Sequence, residues 1–135
     1  MIEDLTNIAI ASLLTASVPG LAVHVGVSDD ELATPCAVVS SEIDSMIESR
    51  NPFYKLLVKI EYISVSNKDT AANDVTTLTA IDDAITNQPP PEIMSQVQTA
   101  GLGFLAWFAT PKSQNIAGDR RSNIRELNVT AQPLD

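Results

Sequence analysis

A long alternation of apolar and polar positions occupies residues 53–66, FYKLLVKIEYISVS, with no Gly, Pro, Asn or Asp. The even-numbered positions from 54 to 62 are all apolar or aromatic: Tyr54, Leu56, Val58, Ile60 and Tyr62. A period of two places these side chains on one face of a β-strand. Because strands usually have about 5–6 residues, the run predicts an unusually long strand.

A second strand is predicted just upstream, over residues 36–48 (CAVVSSEIDSMIE). Its odd-numbered positions form the more apolar face, which includes Ala37, Val39, Ile43 and Ile47. The intervening SRNP, residues 49–52, is typical of a turn. Residues 36–66 are therefore expected to form a long β-hairpin arm.

The two predicted strands can be paired so that their apolar faces lie on the same side of the hairpin. An antiparallel register in which partner numbers sum to 101 sets Ile47 opposite Tyr54, and Glu42 opposite Lys59, an opposite-charge pair. Shifting one strand by one residue would place the apolar face of one strand beside the polar face of the other. Since only part of so long a hairpin can lie over a small core, we expect its tip, Asp44–Leu57, to project.

Two segments show helical periodicity. The first has Ile2, Leu5, Ile8, Ala9 and Leu13 at helical spacing and stops at Pro19-Gly20. The second spans residues 67–88 and stops at the Pro run 89–91; its apolar stripe is Ala71, Val75, Leu78, Ile81 and Ile85. These segments predict two main helices.

The remaining segments complete an α+β pattern. Residues 22–27 and 123–132 predict strands, and residues 111–123 a polar loop. GFLAWFAT, residues 103–110, is apolar on both parities, which predicts a strand inside the sheet. We expect an α+β fold with a largely antiparallel sheet and a long projecting β-hairpin, packed on one face by two main helices. The length of 135 residues predicts a single domain, 1–135.

Charge and composition narrow the function classes. A net charge of −9 argues against a general nucleic-acid binder, although DNA could pass such a surface without sticking. The lone Cys36 excludes an intramolecular disulfide and indicates a small buried hydrophobe. The N-terminus is acidic and its apolar stretch is short, so we expect no signal peptide and no membrane span.

Candidates for catalysis or metal binding are few. His24 is the only histidine, so neither a zinc site nor a Ser-His-Asp triad can be proposed. Asp29-Asp30-Glu31 lacks the ligand spacing of a calcium loop, and Asp82-Asp83 is expected on a solvated helix face. We expect no enzyme, cofactor or metal. The alternative is a small enzyme that uses carboxylates near Asp29–Glu31 and His24.

Contact surfaces are the better-supported candidates. Arg120, Arg121 and Arg125 form the cationic cluster of an acidic chain and indicate either a solubilising loop or a docking patch, since Arg is favoured at interfaces. With the hairpin tip they give the candidate contact residues, which are Asp44, Met46, Ile47, Arg50, Phe53, Tyr54, Leu57, Arg120, Arg121 and Arg125.

The order of these segments carries a resemblance that covers nearly all of the chain. Its parts are the helix before Pro-Gly, PCAVVSSE, YKLLVKIEYISVS, DVTTLTAIDDAI, GFLAWFAT and RELNVTAQP. This order resembles the tail-terminator or tail-completion (head–tail joining, neck) proteins of long-tailed bacteriophages.

The resemblance implies a structural virion protein, made in the host cytoplasm. Such α+β subunits form a ring, commonly of six copies, that caps the head-proximal end of the tail tube. The implied partners are further copies of the chain, the tail tube protein and the neck or connector protein; DNA passes through the ring without specific binding, and no membrane is involved. Two alternatives stay open: a head-side neck or head completion protein of similar fold, and a non-viral small binding module.

Overall fold

The computed structural model describes residues 2–26, 35–47, 53–65, 71–86, 102–109, 113–117 and 120–133. Its elements in chain order are α1 (Ile2–Ser17), β1 (Val23–Val25), β2 (Cys36–Ile47), β3 (Phe53–Val65), α2 (Ala71–Thr86), β4 (Leu102–Ala109), β5 (Ser113–Ala117) and β6 (Arg120–Pro133). The predicted α+β class is confirmed.

One mostly antiparallel sheet organises these elements. Its strand order is β1-β2-β3-β6-β4, and β5 also pairs with β6. β1 runs parallel to β2, whereas every other pairing is antiparallel. Both helices share one core cluster with the face of β3 that carries Leu56, Val58, Ile60 and Tyr62. The sheet is thus covered on one face by two helices, as expected.

The first helix ends where the sequence predicted. Its apolar positions Ile10, Leu13 and Leu14 are buried, and Glu3 and Asp4 lie in the first turn, where the helix dipole favours acids. Gly20 follows with φ of +85°. A residue without a Cβ adopts this left-handed conformation at little cost, so Gly20 can turn the chain toward β1.

The second helix packs with a narrower apolar stripe than predicted. Ile81 and Ile85 are buried and Leu78 is partly buried, but Val75 is 65% exposed. Asp82, expected on the solvated side, instead faces the sheet and pairs with Arg125 of β6. The prediction that Asp82 lies on a solvated face is therefore wrong. The buried guanidinium of Arg125 offsets the cost of taking the Asp82 carboxylate out of water.

The register between β2 and β3 differs from the predicted one. Partner numbers sum to 99 from Cys36–Ile63 to Ile43–Leu56, and a bulge around Asp44 changes the sum to 100. Glu42 consequently lies opposite Leu57, not Lys59. A shift of two residues leaves every side chain on its face, so the apolar pattern does not distinguish the sums 99 and 101.

The projecting arm is not confirmed. β6 pairs with β3 from Tyr54 to Val65, so the described part of the tip on the β3 side lies within the sheet. The long hairpin was expected to outrun a small core, but β6 is just as long and flanks it. Residues 48–52, including Arg50, lie outside the described residues.

Two further predictions near the C-terminus are wrong. β4 is the last of the described strands in the sheet order, so it does not lie between two of them. The predicted polar loop contains β5, which pairs with the first residues of β6. Strand pairing uses backbone groups, so a polar segment such as SQNIA joins a sheet without an apolar pattern.

Candidate subunit-contact surface

The outer side of β2 is the part of the candidate tip that remains open. β1 pairs only with Ala37–Val39. Among the described strands, none flanks Ser40–Ile47 on that side. We call Ser40–Ile47 the β2 free edge. A strand edge of this kind presents N–H and C=O groups that can pair with another chain.

Apolar side chains stand exposed along the β2 free edge. Ile43 is 45% exposed and Met46 is 44% exposed, and Glu42 and Asp44 are exposed beside them. Asp44 sits where the register shifts between Ile43 and Ser45. Bulges increase local twist and re-aim side chains at sheet edges. The edge therefore combines open backbone groups with apolar side chains that water solvates poorly.

A polar cluster anchors the start of this edge to α1. The Ser41 hydroxyl lies 2.8 Å from Asn7 Oδ1 and 3.2 Å from the Glu3 carbonyl oxygen, and it can donate to either acceptor. Asn7 is buried. Hydrogen bonds between part-buried groups hold the strand in one position on the helix. Beyond this anchor β2 stays paired with β3, and the side chains from Glu42 to Met46 are exposed.

The other tip candidates lie in different surroundings. Tyr54 is half-buried and packs against the main core. Phe53 and Leu57 are also half-buried. Leu57 borders a shallow cavity of about 320 Å³ together with Ser40, Glu42, Lys59 and Glu126. Ile47 lies in β2, but its side chain is outside the described part of the structure.

The cationic candidates separate into two environments. Arg121 is exposed near the start of β6. Arg125 is buried, and its Nε lies 2.6 Å from Asp82 Oδ1 of α2. Arg125 thus ties α2 to the sheet and does not share an exposed docking patch with Arg121. Arg120 begins β6, and its side chain is outside the described residues.

Titratable and nucleophilic side chains do not converge on a reaction centre in the described part of the chain. His24 is exposed on β1, and Cys36 is buried. No group of three or more His, Cys, Asp or Glu that could hold a metal ion occurs among the described residues. Asp29–Glu31 lies outside them. In the same part of the chain, no helix has the length and apolarity needed to span a bilayer.

One titratable group is strongly perturbed. Burial raises the pKa of the Tyr62 hydroxyl, and its hydrogen bond to Asp74 Oδ1, at 2.8 Å, raises it further. Tyr62 lies under α2, so this contact fastens the first turn of that helix to β3. Its role is structural.

The prediction from sequence missed a second edge. The outer side of β4, Leu102–Ala109, has no flanking strand among the described ones. We call this the β4 outer edge. The apolar sequence of β4 gave no signal for it, because a strand that is apolar at both odd and even positions is typical of burial on both faces, and this pattern does not distinguish an edge strand from an interior one.

Comparison with known proteins assigns no family to this chain. No family model matches the sequence, and no curated protein matches it. Among solved structures, the chain is similar to a chain of the "Virion of native gene transfer agent (GTA) particle". The identity is 14%, the match covers 98% of this chain and 92% of that chain, and the TM-score is 0.47. Function is therefore inferred from the residues of this chain.

Proposed function

We propose that this protein is a structural subunit of a phage-like virion. In this proposal, copies of the chain form a ring of about six that caps the head-proximal end of a tail tube and joins it to the neck or connector. The observation that carries the proposal is the β2 free edge with its exposed Ile43 and Met46. The order of sequence segments, which resembles tail-terminator proteins, supports the same assignment.

The physical reason is the cost of leaving such an edge in water. An open strand edge with apolar side chains invites uncontrolled pairing. Glu42, Asp44 and the register shift at Asp44 restrict which strands can pair with this edge, but Ile43 and Met46 still lie exposed on it. A closed ring covers the same edge in every copy. The net charge of −9 is compatible with a ring through which DNA passes, because acidic walls repel phosphates.

A second candidate is a small binding module. An open apolar groove of about 470 Å³ lies between α1 and β1, and Ile8, Ala11 and Val25 are among its lining residues. Ile8 and Val25 are each roughly half exposed. A monomer or dimer that holds an apolar ligand or peptide in this groove would account for those side chains.

Native mass spectrometry over a concentration series, with and without Mg²⁺, tests the ring. A closed species of about six copies supports the proposal. A monomer or dimer at every concentration, also in the presence of tail tubes, contradicts it and favours the binding module. Electron microscopy of the chain with tail tubes or with isolated connectors then separates a tail terminator from a head-side neck protein by which particle it caps.

A matched pair of variants connects assembly to the edge. Met46→Asp places a charge on the β2 free edge and is expected to reduce the oligomeric fraction at least tenfold with the monomer fold retained. Val75→Asp makes the same change on the exposed side of α2 and is expected to leave assembly unchanged. If Met46→Asp assembles normally, the edge does not carry the contact.

A further inference from the structure

β4 has the composition of an interior strand but lies at an edge. Its eight residues, LGFLAWFA, include no charged residue and no proline. Edge strands normally carry charges, prolines or bulges that prevent further pairing. β4 has a register shift between Leu102 and Phe104, but its pairing with β6 is regular from Phe104 to Ala109. β6 flanks β4 on one side, and none of the described strands flanks it on the other. The sequence of β4 is therefore suited to a partner strand on its outer side.

The β2 free edge and β4 occupy the same stretch along the strand direction, because the same rows of paired residues end in both of them. One row of paired residues runs from Met46 through Tyr54 and Ala131 to Leu105. A second row runs from Ser41 through Val58 and Leu127 to Ala109. The two open segments therefore face outward from opposite sides of the sheet over the same stretch.

Strand direction makes the two edges compatible. β2, β3, β6 and β4 are neighbours in this order, and each pairs antiparallel with the next. β2 and β4 consequently run in opposite directions. When two copies stand side by side in the same orientation, β2 of one copy and β4 of the next can continue the antiparallel pattern.

Charge favours this pairing over a symmetric one. Pairing two β2 free edges would bring Glu42 and Asp44 of both copies close together, and like charges on paired strands are destabilising. β4 carries no charge. A contact between β2 and β4 therefore avoids the repulsion and covers the exposed Ile43 and Met46.

We propose that copies of this chain associate head to tail, with the β2 free edge of one copy paired antiparallel to the β4 outer edge of the next. The result is one sheet continued across subunits. This inference rests on the proposed function, since it specifies how the copies of the ring meet. A head-to-tail contact closes into a ring when the rotation between copies divides a full turn.

Cysteine crosslinking tests the pairing directly. One chain carries Met46→Cys and a second carries Leu105→Cys, and the buried Cys36 is kept in both. Paired strands bring Cα atoms to about 4.5–5.5 Å, which lies within the range that a disulfide spans. After mild oxidation of an equimolar mixture, we expect up to about half of the chains in a covalent dimer that contains both variants, because in a randomly mixed ring half of the Met46→Cys chains are followed by a Leu105→Cys chain. A Thr15→Cys chain mixed with Leu105→Cys is expected to remain uncrosslinked.

The outcomes separate this inference from the proposed function. An oligomer by native mass spectrometry that gives no Met46–Leu105 crosslink, or that gives Met46–Met46 dimers, overturns the pairing but leaves the ring. A chain that stays monomeric also with tail tubes present overturns both. Hydrogen exchange on the unmodified chain provides a check without substitutions. Peptides covering 40–47 and 102–109 should gain protection on assembly, and failure of either segment to do so overturns the pairing.

Discussion

The Nε of Arg125 lies 2.6 Å from Asp82 Oδ1, and the pair joins β6 to α2 with only 10% and 22% of the two side chains exposed. This contact accounts for how a helix with few buried apolar residues keeps its place on the sheet. Two further hydrogen bonds join the sheet to the two ends of α2. Tyr62 of β3 donates to Asp74 in the first turn, and Trp107 of β4 donates to the Ile85 carbonyl oxygen near the last residue. These polar contacts act together with the buried Ile81 and Ile85 to hold α2 on the sheet.

Replacing Asp82 with Ala should destabilise the fold by about 3 kcal/mol, because it leaves the Arg125 guanidinium buried without its partner. Chemical denaturation of the monomer followed by circular dichroism measures the change. The double variant Asp82→Val, Arg125→Met should recover most of the loss, since apolar side chains replace both charges and no buried charge is left without a partner. A single variant as stable as the parent would contradict the structural role given to this pair.

Stability should fall above about pH 10, and Tyr62 should contribute to the fall. The unfolded tyrosine loses its proton near its ordinary pKa of about 10, whereas the folded one keeps it, because burial and Asp74 raise the Tyr62 pKa. The stabilising contribution is therefore complete below pH 10 and is lost as the pH rises. Denaturation between pH 8.5 and 11 should show a shallower fall for Tyr62→Phe. A fall in Tyr62→Phe as steep as in the parent would contradict this role of Tyr62.

Trp107 should report the docking of α2. It is the only tryptophan, it is buried, and its indole N–H donates to the Ile85 carbonyl oxygen at 2.8 Å. We expect blue-shifted native fluorescence that moves to the red on unfolding. Trp107→Phe should cost about 2 kcal/mol through the lost hydrogen bond and lost volume. An emission maximum typical of water-exposed indole in the native chain would contradict this packing.

Thr6→Val should stabilise the protein by about 1 kcal/mol. Thr6 is buried in α1, and its Oγ1 has no hydrogen-bond partner among the described residues. A buried hydroxyl without a partner is unfavourable, and Val has nearly the same shape and helix propensity. The neighbouring Ser41→Ala should have the opposite sign, because its hydroxyl is bonded to α1. A loss of stability in Thr6→Val would indicate that the hydroxyl has a partner after all.

The candidate contact residues show how far the sequence leads toward a site. Exposed Met46 and Asp44 were identified from the alternation and the turn alone. Arg125 was grouped with Arg121 because the two are close in sequence, but Arg125 faces α2. Side chains four residues apart in a strand share a face, yet whether a helix end or solvent lies above each of them depends on the packing of distant segments.

Periodicity by itself determined the two helices, the two long strands β2 and β3 and the face of each of these two that enters the main core, because these depend on local spacing and on burial of apolar side chains. Only the tertiary structure decided the β2–β3 register, the central place of β6, the strand at Ser113–Ala117 and the positions of the β2 free edge and of β4, which no further described strand flanks. Registers in which the paired residue numbers of β2 and β3 sum to 99 or to 101 bury the same faces. Backbone groups form strand hydrogen bonds whatever the polarity of the side chains. Which strands end at an edge is set by which neighbours the whole chain can supply.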